Sequence, residues 1–281
     1  MKLPTIKSAI IAGGLALCAS SAYAGDALTV VSWGGAYTKS QIEAYHKPYT
    51  AKYGTKIQSE DYNGGLAEIR AQVEAGKITW DVVDLEVSDA ARGCDDGLFE
   101  KISAGSLPNG VNGALPSKDF IPGALQECAV GTIVWSTIYA YDADKYKSKK
   151  PTTISDFFDV KKFPGKRGMR KVPKVNLEWA LMADGVDGKD VYKVLATKAG
   201  QDRAFKKLDT IKNDVLWWEA GAQPPQMLAD GEVVMTSAYN GRIFNAAVTE
   251  KKNFEIVWDR QLFSFDLYAI IKGTPRLKEA L

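Results

Sequence analysis

Histidine is nearly absent from this sequence: His46 stands alone among 281 residues. A serine- or cysteine-histidine hydrolytic site would have to rest on that one imidazole, and no G-x-S-x-G elbow accompanies it. Cysteine is scarce as well, with three in all. One histidine and two widely separated cysteines make no zinc-type cluster. Neither a G-x-G-x-x-G fingerprint nor a P-loop occurs, so a cradle for nucleotide phosphates is not expected. There are no internal repeats and no low-complexity tracts. The adjacent acids Asp95 and Asp96 read as solvated loop charges rather than an acid-base pair. No cofactor is expected.

Long apolar runs are missing too, apart from Ala9–Leu17 near the start. That run is too short to cross a bilayer. With Lys2 and Lys7 before it and Ala22-Tyr23-Ala24 after it, Met1–Ala24 reads as a secretory signal peptide. Cys18 follows Leu17 rather than a small residue, which favours free release over a lipid anchor. Removing the leader takes away two lysines, so the 36 basic residues fall to match the 34 acidic ones. A neutral chain offers no electrostatic case for nucleic acid or an acidic membrane. Export also changes the meaning of Cys94 and Cys128, an even pair bound for an oxidising compartment, where a disulfide is expected.

What is present alternates between strand and helix signals. Leu28–Ser32 is apolar and β-branched. Thr38 with Gln41 has the spacing of a capping box, Pro48 predicts a kink, and Gly54 predicts a helix stop. A strand at Lys56–Ser59, a helix over Leu66–Ala75 stopped by Gly76, and a buried strand at Asp81–Leu85 complete a βαβαβ series. That order implies an α/β fold with a parallel sheet flanked by helices. The long aromatic run Thr132–Asp142 reads as a strand crossing out of a first lobe. Helices near Leu177–Met182 and Arg203–Ile211, with strands at Val233–Ser237 and Phe254–Trp258, predict a second α/β lobe. The expected division is residues 25–135 for the first lobe, 136–259 for the second, and 260–281 for a crossing back. A cleft between the lobes follows.

In open α/β sheets a ligand sits beyond the carboxyl ends of the strands, and Trp33-Gly34-Gly35 lies at such an end. Glycine allows close backbone approach and Trp33 offers a flat wall. An ordinary tight turn with Trp33 in the core is the competing reading, and both stay open at this point.

The ordered set SWGGAYT, TWDVVDLEVSD, MLADGEVVMTSAYNGR and LFSFDLYAII resembles the periplasmic solute-binding proteins of ABC importers, in the spermidine/putrescine-binding branch. The similarity runs through essentially the whole chain after the leader. It implies a two-lobed binding protein of the type II kind, a small amine-containing cargo, a membrane permease as partner, and no catalysis. A monomer is expected. By this resemblance Asp266 matches an aspartate that pairs with a ligand ammonium, Tyr239 and Trp33 match aromatic walls, and Glu86 falls in a ligand-facing turn. The set suits an amine, because a desolvated ammonium needs a carboxylate and aromatic faces attract it by about 0.5 to 2 kcal/mol each.

Two departures qualify the resemblance. Where polyamine binders carry acids, this chain reads RKVPKVN, Arg170–Asn176, so a dication loses a partner there. Arg242, in contrast, can clamp a carboxylate through two parallel N–H groups. An acid at one end and a guanidinium at the other suit a short zwitterion such as γ-aminobutyrate. Glu219 can restore a negative charge and keeps a polyamine open. The second departure is the terminal PRLKEAL, Pro275–Leu281, whose short helix predicts that the sequence is C-terminally truncated. Two further alternatives stay open: a ferric-ion binder of the same architecture using Tyr239, Tyr268 and carboxylates, and a periplasmic enzyme built on His46 or a carboxylate pair.

Overall fold

The β-branched and leucine-rich start of the described chain becomes β1, Ala27–Ser32, buried along nearly its whole length. A computed structural model describes residues 27–281; the expected leader, Met1–Ala24, lies outside the described residues. The other strands are β2 (Lys56–Asp61), β3 (Val82–Glu86), β4 (Ala129–Asp142), β5 (Arg167–Arg170), β6 (Val215–Trp218), β7 (Met235–Tyr239) and β8 (Phe254–Ile270). They form one sheet in the order β2-β1-β3-β8-β4-β7-β5-β6.

Pairing direction divides that sheet. β1 runs parallel to β2 and β3, and β5 runs parallel to β6 and β7. Between these parallel sets lie β4 and β8, antiparallel to each other and to their outer neighbours. β3 pairs with β8 only over Asp266–Ile270, and β7 pairs with β4 only over Thr137–Tyr141. Around Val134↔Phe265 and Trp135↔Ser264 the sheet is therefore two strands wide. This waist separates two lobes.

Each lobe carries its own apolar core. In the first, Val31, Val83, Leu85 and Leu267 pack on one face of the sheet and Leu28, Val30, Val82 and Ile270 on the other. In the second, Tyr139, Tyr141, Trp179 and Met235 pack on one face, with Ile138, Ala140, Leu228 and Ala238 on the other. The alternation of residues 138–141 between two buried faces is the two-residue period of a strand covered by helices on both sides.

Helical segments differ from expectation in two places. Helix α1 is Gly35–Gln41, followed by a π-turn over Ile42–His46 and by α2, Lys47–Tyr53. The expected Thr38–Gln41 capping box does not form, because the residue that caps the helix is Gly34, four positions earlier. Gly34 and Gly35 adopt left-handed φ of 72° and 60°, which lets the chain turn directly from strand to helix. Thr38 then lies inside the first turn, where its Oγ1 accepts from the Gly34 amide at 2.8 Å and donates to Asp61 at 3.0 Å. Gln41 reaches Asp84 instead, at 2.6 Å. The irregularity expected at Pro48 is taken up by the π-turn just before it, and the proline enters α2 in its first turn, where its missing N–H costs least.

Gly54 and Gly76 end α2 and α3 (Ala67–Ala75) in the left-handed conformation, as their positions imply. Cys94, in α4 (Val87–Asp95), is disulfide-bonded to Cys128, just before β4. The strand expected at Phe254–Trp258 continues to Ile270. The polar residues after Trp258 do not end the strand: they are taken up in an irregularity between the pairs Tyr139↔Val257 and Thr137↔Leu262, where Arg260 has a φ of 55° and Asp259 accepts from the Ile154 amide at 2.8 Å.

Candidate ligand-binding site

The carboxyl ends of β1, β3, β5, β6 and β7 all point at the waist, so the residues that end them meet there. Trp33 follows β1, Glu86 ends β3, Arg170 ends β5, Glu219 follows β6 and Tyr239 ends β7. Asp266 and Trp135 come from the crossing strands themselves. A cavity of about 340 Å3 lies among them. Trp33, Glu86, Glu219, Tyr239, Arg242 and Asp266 all line it.

Asp266 is buried and accepts a hydrogen bond from the indole Nε1 of Trp135 at 2.8 Å. Burial pushes its carboxyl well above the usual carboxylate range, and the nearby Asp84 and Glu86 push it further, against the opposing pull of Trp135 and Arg170. Asp84, two residues before Glu86 on β3, is fully buried and is likewise raised by burial. Its Oδ2 accepts from Ser32 and Gln41 while its Oδ1 has no partner. In the antiparallel register Asp84 faces Tyr268 and Glu86 faces Asp266, so the two aspartates are diagonal neighbours on one face of the sheet. Asp266 lines the cavity while Asp84 lies buried behind it, and burial holds both carboxyls toward the neutral form until a cation arrives.

Aromatic rings form the walls. Trp135 meets Tyr239 edge-on at 5.2 Å, and Trp33 lies against Tyr62 at 5.1 Å. The guanidinium of Arg170 sits over the Tyr239 ring at 6.0 Å.

Arg242 supplies the opposite charge. It is buried, and its Nη2 donates to the carbonyl of Trp33 at 2.9 Å, joining the second lobe to the first. This contact explains the glycine pair after β1. A Cβ on Gly35 would stand 2.9 Å from Arg242 Nη1, and one on Gly34 would stand 2.8 Å from an oxygen of Asp61. Gly35 leaves room for the guanidinium as well as for the turn.

Two of the six residues sit differently from a simple ligand contact. Glu86 spans the cleft as an ion pair, accepting from Arg170 Nη1 at 2.8 Å and from Lys174 Nζ at 2.5 Å. The acid-free loop RKVPKVN is what supplies both cations. Glu219 is exposed at the rim, 3.2 Å from Lys171.

Of the residues behind the alternative readings, Tyr239 lines the cavity but His46 and Tyr268 do not. His46 is buried beside Ser59, with Nδ1 3.0 Å from its hydroxyl, and lines neither this cavity nor its neighbour. Tyr268 also lines neither; its ring meets Tyr45 edge-on at 6.4 Å. Among the described residues no group of three histidines, cysteines or acids is placed to hold a metal ion.

Sequence reasoning did not single out Trp135, Tyr37 or Asn240. Trp135 sits inside an apolar run that reads as core, and only the alternation Ile133, Trp135, Thr137 marks it as sharing a face. Asn240 accepts from the Ser136 amide at 3.0 Å and ties the AYNGR turn to β4.

Residues 44–281 match the family described as bacterial extracellular solute-binding proteins. The chain belongs to that family. This solute-binding protein is 47% identical, over 262 residues, to the gamma-aminobutyric acid-binding protein of Pseudomonas aeruginosa, covering 93% of the chain and 72% of that relative. Among solved structures it is similar to the binding protein MotA of A. tumefaciens B6 in complex with glucopine, with 32% identity and a TM-score of 0.82 over 90% of this chain and 76% of that one. It is also similar to the Atu4243 GABA receptor, with 33% identity and a TM-score of 0.74 over 90% and 75% of the two chains. These neighbours share the two-lobed α/β architecture.

Proposed function

We propose that this protein is a receptor for γ-aminobutyrate or a closely similar ω-amino acid, captured between the lobes and passed to the permease of an ABC importer. The observation that carries the reading is one cavity holding a buried acid, Asp266, and a buried guanidinium, Arg242, between aromatic walls. Asp266 takes the ammonium, with Trp135 and Tyr239 beside it. Arg242 takes the carboxylate through N–H groups not used on Trp33. The relationship to the Pseudomonas aeruginosa γ-aminobutyrate binder supports the same cargo.

A diamine fits less well, because the second acid it needs is spent. Glu86 is already matched by two cations, and Glu219 stands in solvent. The protein binds without turnover, as a periplasmic component exported by Met1–Ala24, with lobes at residues 25–135 and 136–259 and the crossing from 260.

Thermal-shift and calorimetric titration against γ-aminobutyrate, putrescine and spermidine test the proposal. At a 100-fold excess over Kd a true ligand adds about 2.7 kcal/mol to stability. Stabilisation by the ω-amino acid and not by the diamines is the expected result. Stabilisation by diamines alone would assign Arg242 a purely structural role.

A further inference from the structure

γ-Aminobutyrate and glutamate differ by one α-carboxylate beside the amine. A receptor for the first must reject the second either by filling the space or by denying the charge. Space is not what this cleft lacks. A second cavity of about 360 Å3 adjoins the first, and the two share Glu86, Trp135, Arg170 and Tyr239 as their partition. Trp135 is itself hydrogen-bonded to Asp266, and Glu86 faces Asp266 across the β3–β8 register, so an amine held on Asp266 lies beside this partition.

The partition already contains a carboxylate. Glu86 Oε1 accepts from Arg170 Nη1 at 2.8 Å and Oε2 accepts from Lys174 Nζ at 2.5 Å, while Lys174 also donates to Ser88 at 2.8 Å. Both cations that flank the second cavity are therefore engaged by this one carboxylate, each on its own oxygen. Burial works against the charge of Glu86, but Lys174 and Arg170 more than offset it and hold the carboxyl below its usual range, so the group is an anion throughout the working pH range. We infer that Glu86 is a specificity-determining residue that occupies, as part of the protein, the position an α-carboxylate would take on Arg170 and Lys174, admitting ω-amino acids and repelling their α-carboxylated counterparts. This is exclusion by a built-in charge rather than by contact area, and it rests on the γ-aminobutyrate reading.

The experiment is calorimetric titration of the protein and of Glu86→Gln with γ-aminobutyrate and with L-glutamate. The unsubstituted protein is expected to bind γ-aminobutyrate and to bind glutamate about 100-fold more weakly or not at all, since like-charge juxtaposition is costly in a buried site. Glu86→Gln keeps the shape and frees both cations, and the gap is expected to narrow by about tenfold or more. Adding Arg170→Met to Glu86→Gln should reopen the gap. Glu86→Ala removes the same charge through a different side chain and serves if Glu86→Gln does not fold.

Comparable binding of both ligands by the unsubstituted protein overturns the inference without any variant. So does a folded Glu86→Gln protein that still rejects glutamate to the same degree, or one that has lost γ-aminobutyrate. Failure of the unsubstituted protein to bind γ-aminobutyrate is a different result, which removes the parent proposal.

Discussion

Trp135 and Asp266 sit on the two strands that run from one lobe into the other, and the indole N–H of one meets the carboxylate of the other at 2.8 Å. The acid assigned to the ligand amine is thereby oriented from within the waist. Trp135→Phe keeps the ring wall and removes the donor. A hydrogen bond to a charged group contributes about 1.5 to 3 kcal/mol, so titration of Trp135→Phe should show γ-aminobutyrate affinity reduced by an amount in that range.

Asp266→Asn separates binding from stability. Removing one member of a buried ammonium-carboxylate pair costs about 2 to 5 kcal/mol of binding. The unliganded protein should not lose stability at neutral pH, because burial and the nearby Asp84 and Glu86 already oppose the charge of Asp266. Chemical denaturation with and without ligand distinguishes the two effects. A large loss of stability in the unliganded variant would mean that Asp266 serves the fold.

The raised carboxyls of Asp84 and Asp266 also fix the sign of the pH dependence. A folded-state carboxyl titrating above its unfolded value holds a proton that the unfolded chain has released. Its contribution to unliganded stability is full below the ordinary carboxylate range and declines as pH rises toward the raised values. An ammonium on Asp266 favours the ionised form, so binding should release protons in that window and tighten as pH rises through it. Calorimetry in two buffers of different ionisation enthalpy measures the release; identical apparent enthalpies would contradict it.

Gly35→Ala should impair closure. The position has φ of 60° and its Cβ would stand 2.9 Å from Arg242. Each lobe keeps its own core, so far-ultraviolet circular dichroism should be little changed while ligand affinity falls. Small-angle scattering should report a larger radius for the variant with ligand than for the parent protein with ligand.

Reduction of Cys94–Cys128, or Cys94→Ser with Cys128→Ser, opens a loop with a sequence separation of 34. Loop-closure entropy puts the loss at about 4 kcal/mol. Both cysteines belong to the first lobe, so protection from hydrogen exchange should fall in β1 and β3 more than in β5 and β7.

The first lobe was largely legible in the sequence because its strands are β-branched runs and its helices end at left-handed glycines, Gly54 and Gly76. The second lobe was less so. β5 reads RGMR and β6 reads VLWW, too short and too mixed to show a period. Gly168 in β5 is there because a Cβ would strike Thr236 on the neighbouring strand, a tertiary reason that no local pattern carries.

At the site, Asp266 and Arg242 stood out as charges within apolar or turn motifs. The pairing of Glu86 with Arg170 and Lys174 did not, since it joins residues more than 80 positions apart that only the tertiary fold brings together. Trp135 was hidden for the opposite reason: a residue in an aromatic run looks like core until the neighbouring strands stop short and leave it bare.

That shortening has a mechanical consequence. With β4 and β8 the only strands among the described residues that are continuous across the waist, relative movement of the lobes must be taken up as bending and twisting of one hydrogen-bonded ribbon, whose register already shifts between Gly131 and Ile133 and between Thr137 and Tyr139. A ribbon of this kind behaves as a leaf spring rather than a free joint, stiff against sliding and compliant in one direction. Because Asp266 and Trp135 are mounted on that spring, the flexure that admits the solute and the grip that holds it are the same piece of protein.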